Sequence, residues 1–288
     1  MKTILVPTSG TPTDTPVFQT ALALARSAHA HLEFFHLRLD PCEAAIRDPH
    51  ANFCVGPAIA ATLSFLEQRD QAVAADAASH FRHFCETQRV PIVEAPARSD
   101  NLSAHWIEET NNPGERLLLH ARHCDVTVLG RRHTLDFMPE NLIENLMKDS
   151  GRPVVIAPDS ARHGLLRTIA VAWNETAQSA RALGAAMPLL AQAHRVILLT
   201  APEVPETDSR NVEHLAAQLA WSGIRAETRV LPESTHSVGQ RLLRAARKAE
   251  ADLLVAGGYG HNSFREQLFG GVTRELLDET DVPVFLMH

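Results

Sequence analysis

The sequence is poor in aromatic residues, in cysteine and in long apolar runs, and each shortage excludes a class of protein. Aromatic residues make up 5% of the 288 positions, so we expect a core of aliphatic side chains. No apolar run approaches the roughly 18 residues of a membrane-spanning helix, so we expect no membrane partner. The cysteines form no CxxC pair, and we expect reduced thiols rather than a disulfide framework. They are Cys42, Cys54, Cys85 and Cys124.

Positive charge is also scarce and scattered. The chain carries 27 Lys and Arg against 34 Asp and Glu, a formal charge of −7. Nucleic acid is therefore not an expected partner, because neutralising its phosphates needs clustered basic residues. Residues 3–7 read as a strand rather than a secretory signal, so we expect a cytoplasmic protein. No HExxH, GxSxG or Ser-His-Asp order is present, and we assign no catalytic residue.

What the sequence does contain is one pattern of strands and helices repeated in two halves. Apolar strands that alternate with helices predict parallel sheets covered on both faces. A repeat of this length indicates a duplicated domain, and we place the domains at residues 1–160 and 161–288. The corresponding strand segments are 3–7 with 168–172, 32–36 with 196–200, 124–130 with 251–257, and 152–156 with 282–286.

Between these strands the pattern predicts helices, which differ in length between the halves. We expect helices over residues 16–27 and 177–190, each after the first strand of its half. The first half also carries an insertion at 39–58, which we interpret as a surface loop. The helix that follows, 58–88, is longer than its counterpart at 211–221.

The segment 251–288 carries the strongest functional signal. A buried strand there ends at Gly257, Gly260 follows, and a helix opens after Gly270 and Gly271. Backbone N–H groups at a helix amino end attract anions, and glycines let a phosphate approach the backbone. This pattern predicts a phosphate site in the second half.

Gly257-x2-Gly260-x9-Gly270, the following Val272-Thr273 and the strand Val282-Pro283-Val284 resemble the universal stress protein family in its tandem two-domain form. The resemblance implies two flavodoxin-like (adenine nucleotide alpha hydrolase-like) α/β domains. In each, a five-stranded parallel sheet of order 3-2-1-4-5 carries helices on both faces. In this family the glycine motif marks members that bind ATP.

Carried over residue by residue, the resemblance implies an ATP site in the second half. Gly271 stands where the ATP-binding pattern usually has Ser or Thr, and Asn174 replaces an Asp that reaches the nucleoside. Trp173 either covers the base or simply packs, and His261 either senses a γ-phosphate or caps the loop. The nearest cations are Arg265 and Arg274. The expected cofactor-binding residues are Ala172, Trp173, Asn174, Gly257, Gly260, His261, Gly270, Gly271, Val272 and Thr273.

The first half departs from the family motif. Arg131 follows Gly130 without further glycines, and Thr8 takes the position of the Asp, so this half cannot build the same phosphate cradle. We expect a domain that binds no nucleotide or binds something else. Residues 8–14 faintly resemble the pyrophosphate loop of adenylating enzymes, but the favoured interpretation is a loop in which Asp14 caps the next helix.

Two His/Cys clusters have spacings that could place metal ligands on one helical face. Each cluster supplies at most three ligands, and we favour solvated helix residues and predict no metal site. The clusters are His80, His83 and Cys85, and His120, His123 and Cys124.

We therefore expect a stress-response protein that binds ATP with Mg²⁺ in its second domain and acts as a regulatory or signalling module. Binding is favoured over turnover. Two alternatives stay open: a slow ATPase with His261 as base, and a nucleotide-free scaffold or small-ligand binder that uses its first half. The edge strands at 153–157 and 283–287 are expected to join the halves into an internal pseudo-dimer, with a further homodimer left open.

Overall fold

The computed structural model describes residues 1–38, 57–95, 102–110, 113–131, 141–160, 166–201, 210–258 and 271–288. Strands and helices alternate throughout these ranges. In the first half the strands are β1 (Thr3–Thr8), β2 (His31–Arg38), β3 (Ser103–Thr110), β4 (Val126–Leu129) and β5 (Val154–Ile156). The helices there are α1 (Asp14–Ala28), α2 (Pro57–Gln88), α3 (Pro113–His123) and α4 (Leu142–Asp149).

The second half repeats this order of elements. Its strands are β6 (Thr168–Ala172), β7 (Arg195–Thr200), β8 (Ala226–Val230), β9 (Leu253–Gly257) and β10 (Val284–Met287). Its helices are α5 (Ala177–Leu190), α6 (Arg210–Trp221), α7 (Val238–Lys248) and α8 (Gly271–Glu279).

All these strands form one ten-stranded sheet in the order β3-β2-β1-β4-β5-β10-β9-β6-β7-β8. Neighbouring strands are parallel within each half, which confirms the predicted order 3-2-1-4-5 and the flavodoxin-like fold. β5 and β10 pair antiparallel, with Val155 opposite Phe285. The edge strands predicted to join the two halves therefore do so, and the halves are related as two copies in a dimer would be.

Helices cover both faces of this sheet, as predicted. Successive strand residues point to opposite faces, so Phe34 of β2 lies in one core cluster and Phe35 in the other. One face packs against α1, α2, α5 and α6, and the other against α3, α4, α7 and α8. The core is largely aliphatic, with an aromatic group in the first half where the Phe18 and Phe34 ring centroids lie 4.8 Å apart.

Most of the predicted elements lie where the sequence placed them. Helix α5 has the expected bounds, and α2 is longer than α6 as expected. Helix α1 begins at Asp14, two residues earlier than predicted, because Pro16 is tolerated in a first helical turn. Residues 39–56, which hold most of the predicted surface loop, lie outside the described ranges. So do residues 161–165, and the predicted domain boundary stays a prediction.

Among the described helices, none combines the length and the apolar character that crossing a membrane requires, including the 32-residue α2.

Candidate functional site

The candidate site lies where the strand order of the second half reverses. β6 and β9 are parallel neighbours, with Val171 opposite Val255. The chain leaves β6 through α5 towards β7 on one side, and leaves β9 through α8 towards β10 on the other. A crevice opens at such a switch point beyond the carboxyl ends of the strands. The predicted residues Ala172 and Gly257 end these two strands, so the structure brings them to the same edge of the sheet.

Gly257 is required by a close approach of two backbones. A Cβ placed on it would lie 2.5 Å from the Ser179 nitrogen and 2.7 Å from the Gln178 carbonyl carbon. The amino end of α5 is therefore drawn onto the end of β9. That helix end is capped internally, because the Thr176 hydroxyl oxygen accepts from the Ser179 N–H at 3.2 Å. Asn174 is exposed, and its Oδ1 accepts from the Thr176 hydroxyl at 2.8 Å.

Trp173 and Thr200 place two polar atoms in the interior beside this site. Ala172 pairs with Leu199, and the Trp173 N–H donates to the Leu199 carbonyl at 2.9 Å, so Trp173 and Thr200 follow as neighbours. Trp173 packs against the core, as the simpler interpretation expected. Its Nε1 and the Thr200 Oγ1 are both buried, and neither has a hydrogen-bond partner in the described part of the chain. Such groups usually find partners, so this pair offers hydrogen bonds to a ligand. No pattern in the sequence marked Thr200.

Among the described residues, none crowds the amino end of α8. A Cβ added at Gly271 would meet none of the described heavy atoms within 4 Å. By contrast, the neighbouring amino end of α7 already holds a carboxylate, because the Ser237 hydroxyl donates to Glu275 Oε2 at 2.5 Å. Val272 packs against the core, and Thr273 is 4% exposed.

Part of the predicted site lies outside the described residues. Gly260, His261, Arg265 and Gly270 all fall within 259–270, and their roles stay predictions. Arg274 is described, and its Nε lies 3.6 Å from Asp278 Oδ2 on the same helix. Its charge is therefore already paired.

Comparisons with known proteins agree with this geometry. Residues 166–288 match the model of the universal stress protein family. The second half of the chain is therefore similar to universal stress protein domains. A search of curated proteins gave no match to the sequence.

Solved structures extend the likeness of fold to the whole chain. A universal stress protein from Archaeoglobus fulgidus DSM 4304 is 14% identical with a TM-score of 0.70, over 99% of this chain and 95% of that one. A putative universal stress protein from Pseudomonas aeruginosa UCBPP-PA14 is also 14% identical, with a TM-score of 0.57 over 100% of this chain and 93% of that one. A universal stress protein in complex with cAMP is 20% identical and covers 42% of this chain and 97% of that one, with a TM-score of 0.32.

The first half has the same fold but a different loop at the corresponding edge. Ile4 of β1 pairs with Val126, as Ile169 of the second half pairs with Leu253. This register makes Ser9 the counterpart of Asn174 and corrects our placement of Thr8 there.

In that loop, the first half supplies its own anion. The Asp14 carboxylate accepts from the N–H of Ser9 at 3.0 Å and of Gly10 at 2.8 Å, and from the Ser9 hydroxyl at 2.8 Å. Thr13 is the N-cap of α1 and Asp14 its first residue, so Asp14 binds the loop rather than capping the helix as expected. Burial raises the pKa of Asp14, and the hydrogen bonds oppose this shift. The backbone donors of this loop are thus already used.

The long helix α2 packs against the same loop. Gly10 has φ +80°, and a Cβ there would lie 2.9 Å from the Val73 carbonyl oxygen of α2. The loop and the helix touch through backbone at this point. Helix α2 therefore covers the crevice of the first half at this point.

The two His/Cys clusters have structural partners. Cys85 and Cys124 are buried, and burial raises the pKa of the Cys85 thiol to about 12. His120 Nε2 lies 3.0 Å from Glu109 Oε1, and His80 Nε2 lies 3.3 Å from Thr15 Oγ1. No group of three or more potential metal ligands occurs in the described ranges.

Proposed function

We propose that the second half of this chain binds ATP with Mg²⁺ and acts as a nucleotide-responsive regulatory module in a stress response. In this proposal the protein works in the cytoplasm, and nucleotide occupancy is the signal. The observation that carries the proposal is the space that the described residues leave at the amino end of α8, beside the switch point between β6 and β9.

Charge and hydrogen-bond donors favour the phosphates at this end of α8. The first N–H groups of a helix have no partner within the helix, and the helix dipole adds partial positive charge. The amino ends of α5 and α7 have partners already, in Thr176 and in Ser237 with Glu275. In this proposal the Gly271 N–H is one of the donors, and Gly260 and Gly270 would extend the same cradle.

The base end is supported by Trp173 and its neighbours. The Trp173 Nε1–H is a donor, and the Thr200 hydroxyl both donates and accepts. Adenine carries ring nitrogens that accept and an exocyclic amine that donates, so one base can satisfy both groups. In this proposal, Asn174 at the mouth of the crevice hydrogen-bonds the ribose.

Mg²⁺ belongs to the proposal because the described residues provide little positive charge near α8. Arg274 is paired with Asp278. A divalent cation held mainly by phosphate oxygens and water needs few protein ligands. It would offset the phosphate charge that the helix end alone does not.

Two substitutions at one position test this function. Gly271→Asp puts a negative charge where the phosphates are proposed, while an acidic first turn favours the helix itself. We expect its Mg-ATP affinity to fall about tenfold or more, a change of about 1.4 kcal/mol, with the melting temperature unchanged. The matched variant Gly271→Ser restores a hydroxyl and should tighten binding by one hydrogen bond, about 1 kcal/mol.

Calorimetric titration with Mg-ATP provides the measurement, after any bound small molecule has been released from the denatured protein and identified. One site per chain with the expected order of affinities supports the proposal. A wild-type protein that releases no nucleotide and ignores Mg-ATP overturns it. Steady phosphate release would instead favour the slow ATPase, with His261→Ala as its test.

A further inference from the structure

Arg131 of the first half contacts the carboxyl end of α8 in the second half. Arg131 comes directly after Gly130 at the carboxyl end of β4. Its guanidinium donates to the carbonyl oxygen of Thr280 and, at 3.4 Å, to that of Asp278. These carbonyls lie at the carboxyl end of α8, where the last C=O groups of a helix lack partners within it. Arg131 is thus a cap supplied by the other domain.

The charge of Arg131 suits this position. A cation at the carboxyl end of a helix interacts favourably with the helix dipole. Arg131 Nη1 also lies 3.3 Å from Asp159 Oδ2, and its side chain is only 17% exposed. The guanidinium is therefore fixed from both sides, and water screens its interaction with α8 less than it would at an open surface.

The corresponding position in the second half has a different environment. Gly130 corresponds to Gly257 in the duplicated pattern, so Arg131 corresponds to Gly258. A Cβ at Gly258 would overlap the Met147 methyl group of α4, and the Gly258 N–H donates to the Met287 carbonyl at 2.8 Å. Arg131 in the first half thus contacts α8 through its side chain. Gly258 in the second half has no side chain, and Met147 of α4 packs against it.

The first domain therefore contacts both ends of the segment proposed to bind phosphates. Met147 lies against Gly258, where that segment begins, and Arg131 holds the end of the helix to which it leads. In the sequence, residues 259–270 and the first residues of α8 come between these two contacts.

We propose that Arg131 is a positioning residue that sets the placement of α8 for the nucleotide and links the occupied site to the first domain. This inference rests on the proposed function of the second domain. If Arg131 favours the ligand-ready position of α8, bound nucleotide must strengthen the Arg131 contact by the same factor, since such coupling is reciprocal.

Three variants separate positioning from general stability. Arg131→Gln removes the charge and most donors, Arg131→Lys keeps the charge with fewer donors, and Arg152→Gln is the control. Arg152 is a half-exposed arginine whose charged partner, Asp125, lies within its own domain at 3.8 Å. Amide hydrogen exchange is measured without nucleotide, and Mg-ATP affinity is measured by calorimetry.

We expect Arg131→Gln to speed exchange within 271–280 about tenfold while exchange in α5 and α7 stays unchanged, as local opening requires. Its Mg-ATP affinity should fall several-fold, with Arg131→Lys intermediate and Arg152→Gln like the wild type. In the wild type, Mg-ATP should slow exchange at residues 130–131 as well as in α8.

Unchanged exchange in 271–280 overturns the inference, and so does faster exchange spread evenly over the chain, which would indicate a merely structural role. Unchanged affinity with locally faster exchange overturns the link to the ligand. A wild type that binds no nucleotide refutes the proposed function instead, and the exchange data then still decide whether Arg131 holds α8.

Discussion

At Gly257 the absent side chain lets two backbones touch, whereas at Gly271 none of the described atoms lies where a side chain would begin. Both belong to one motif, and the sequence alone suggests the same use for both. The structure gives Gly257 a packing requirement that holds with or without a ligand. Gly271 has no such requirement among the described atoms, and for this reason it is the better position at which to test binding.

Glu109 shows how one carboxylate can make stability depend on pH. Glu109 accepts a hydrogen bond from Arg116 Nε at 2.6 Å and lies against His120. Chiefly because of the Arg116 hydrogen bond, its pKa falls from the ordinary 4.5 to about 2. Its stabilising contribution is therefore complete above pH 4.5 and is lost as the pH falls towards 2.

We accordingly predict that Glu109→Gln lowers the free energy of unfolding at pH 7 by up to about 1 kcal/mol, since the pair is partly exposed. The difference from the wild type should shrink between pH 4.5 and pH 2. Urea unfolding at pH 7 and pH 3 measures it, with the exposed Glu94→Gln as a control that should change little. A deficit that grows on acidification would contradict this account.

Among the secondary structure elements, the contact between β9 and α5 tolerates the least change. We predict that Gly257→Ala destabilises the protein by about 1–3 kcal/mol, because its Cβ would press on the α5 backbone. Gly184→Ala, in the exposed face of α5 with nothing within 4 Å among the described atoms, is the matched control and should stabilise by up to about 1 kcal/mol. Chemical unfolding measures the free energy of unfolding of both variants. Equal changes in the two would contradict the prediction, because the contact would then have adjusted to the added Cβ at Gly257.

The elements that could be predicted from the sequence are those whose residues form a long apolar run. Strands such as β4 and β9 are apolar along nearly their whole length and could be placed directly. β3 and β8 could not, because both are partly exposed and carry charges such as Glu109 and Arg229. An exposed outer strand has no apolar run to mark it. Their existence followed only from the resemblance to a five-stranded family.

The site was predicted less completely than the fold, for a physical reason. Glycine spacing marks where a backbone must approach something, so the sequence alone could propose Gly257 and Gly271. The contacts of Thr200, Asp14 and Arg131 depend on how distant segments meet, and no local pattern reports that. Asp14 in particular has the sequence of a helix cap but fills the loop before the helix.

For the whole molecule, the antiparallel pair of β5 and β10 determines how the halves depend on each other. In the full chain the outer edge of β10 is covered by β5, and Val284, Phe285 and Leu286 are buried or nearly so. A fragment of residues 166–288 would expose that edge. Unpaired apolar edges favour association, so we predict that this fragment forms a dimer through β10.

Sedimentation of the fragment measures this, with the full chain at the same concentration as the reference in which β10 is already paired. A fragment that is folded by circular dichroism and sediments as a monomer would contradict the prediction. The result also indicates whether the second domain can fold without its partner.

Arg131 and Gly258 occupy corresponding positions in the two halves, and their difference bears on how a duplicated domain can evolve. In a symmetric pair of identical chains, every substitution appears twice, and a residue that helps one copy must be tolerated by the other. Joining both copies in one gene removes that constraint. An arginine can then arise at position 131 while the corresponding position 258 stays a glycine, so the two domains can acquire different functions.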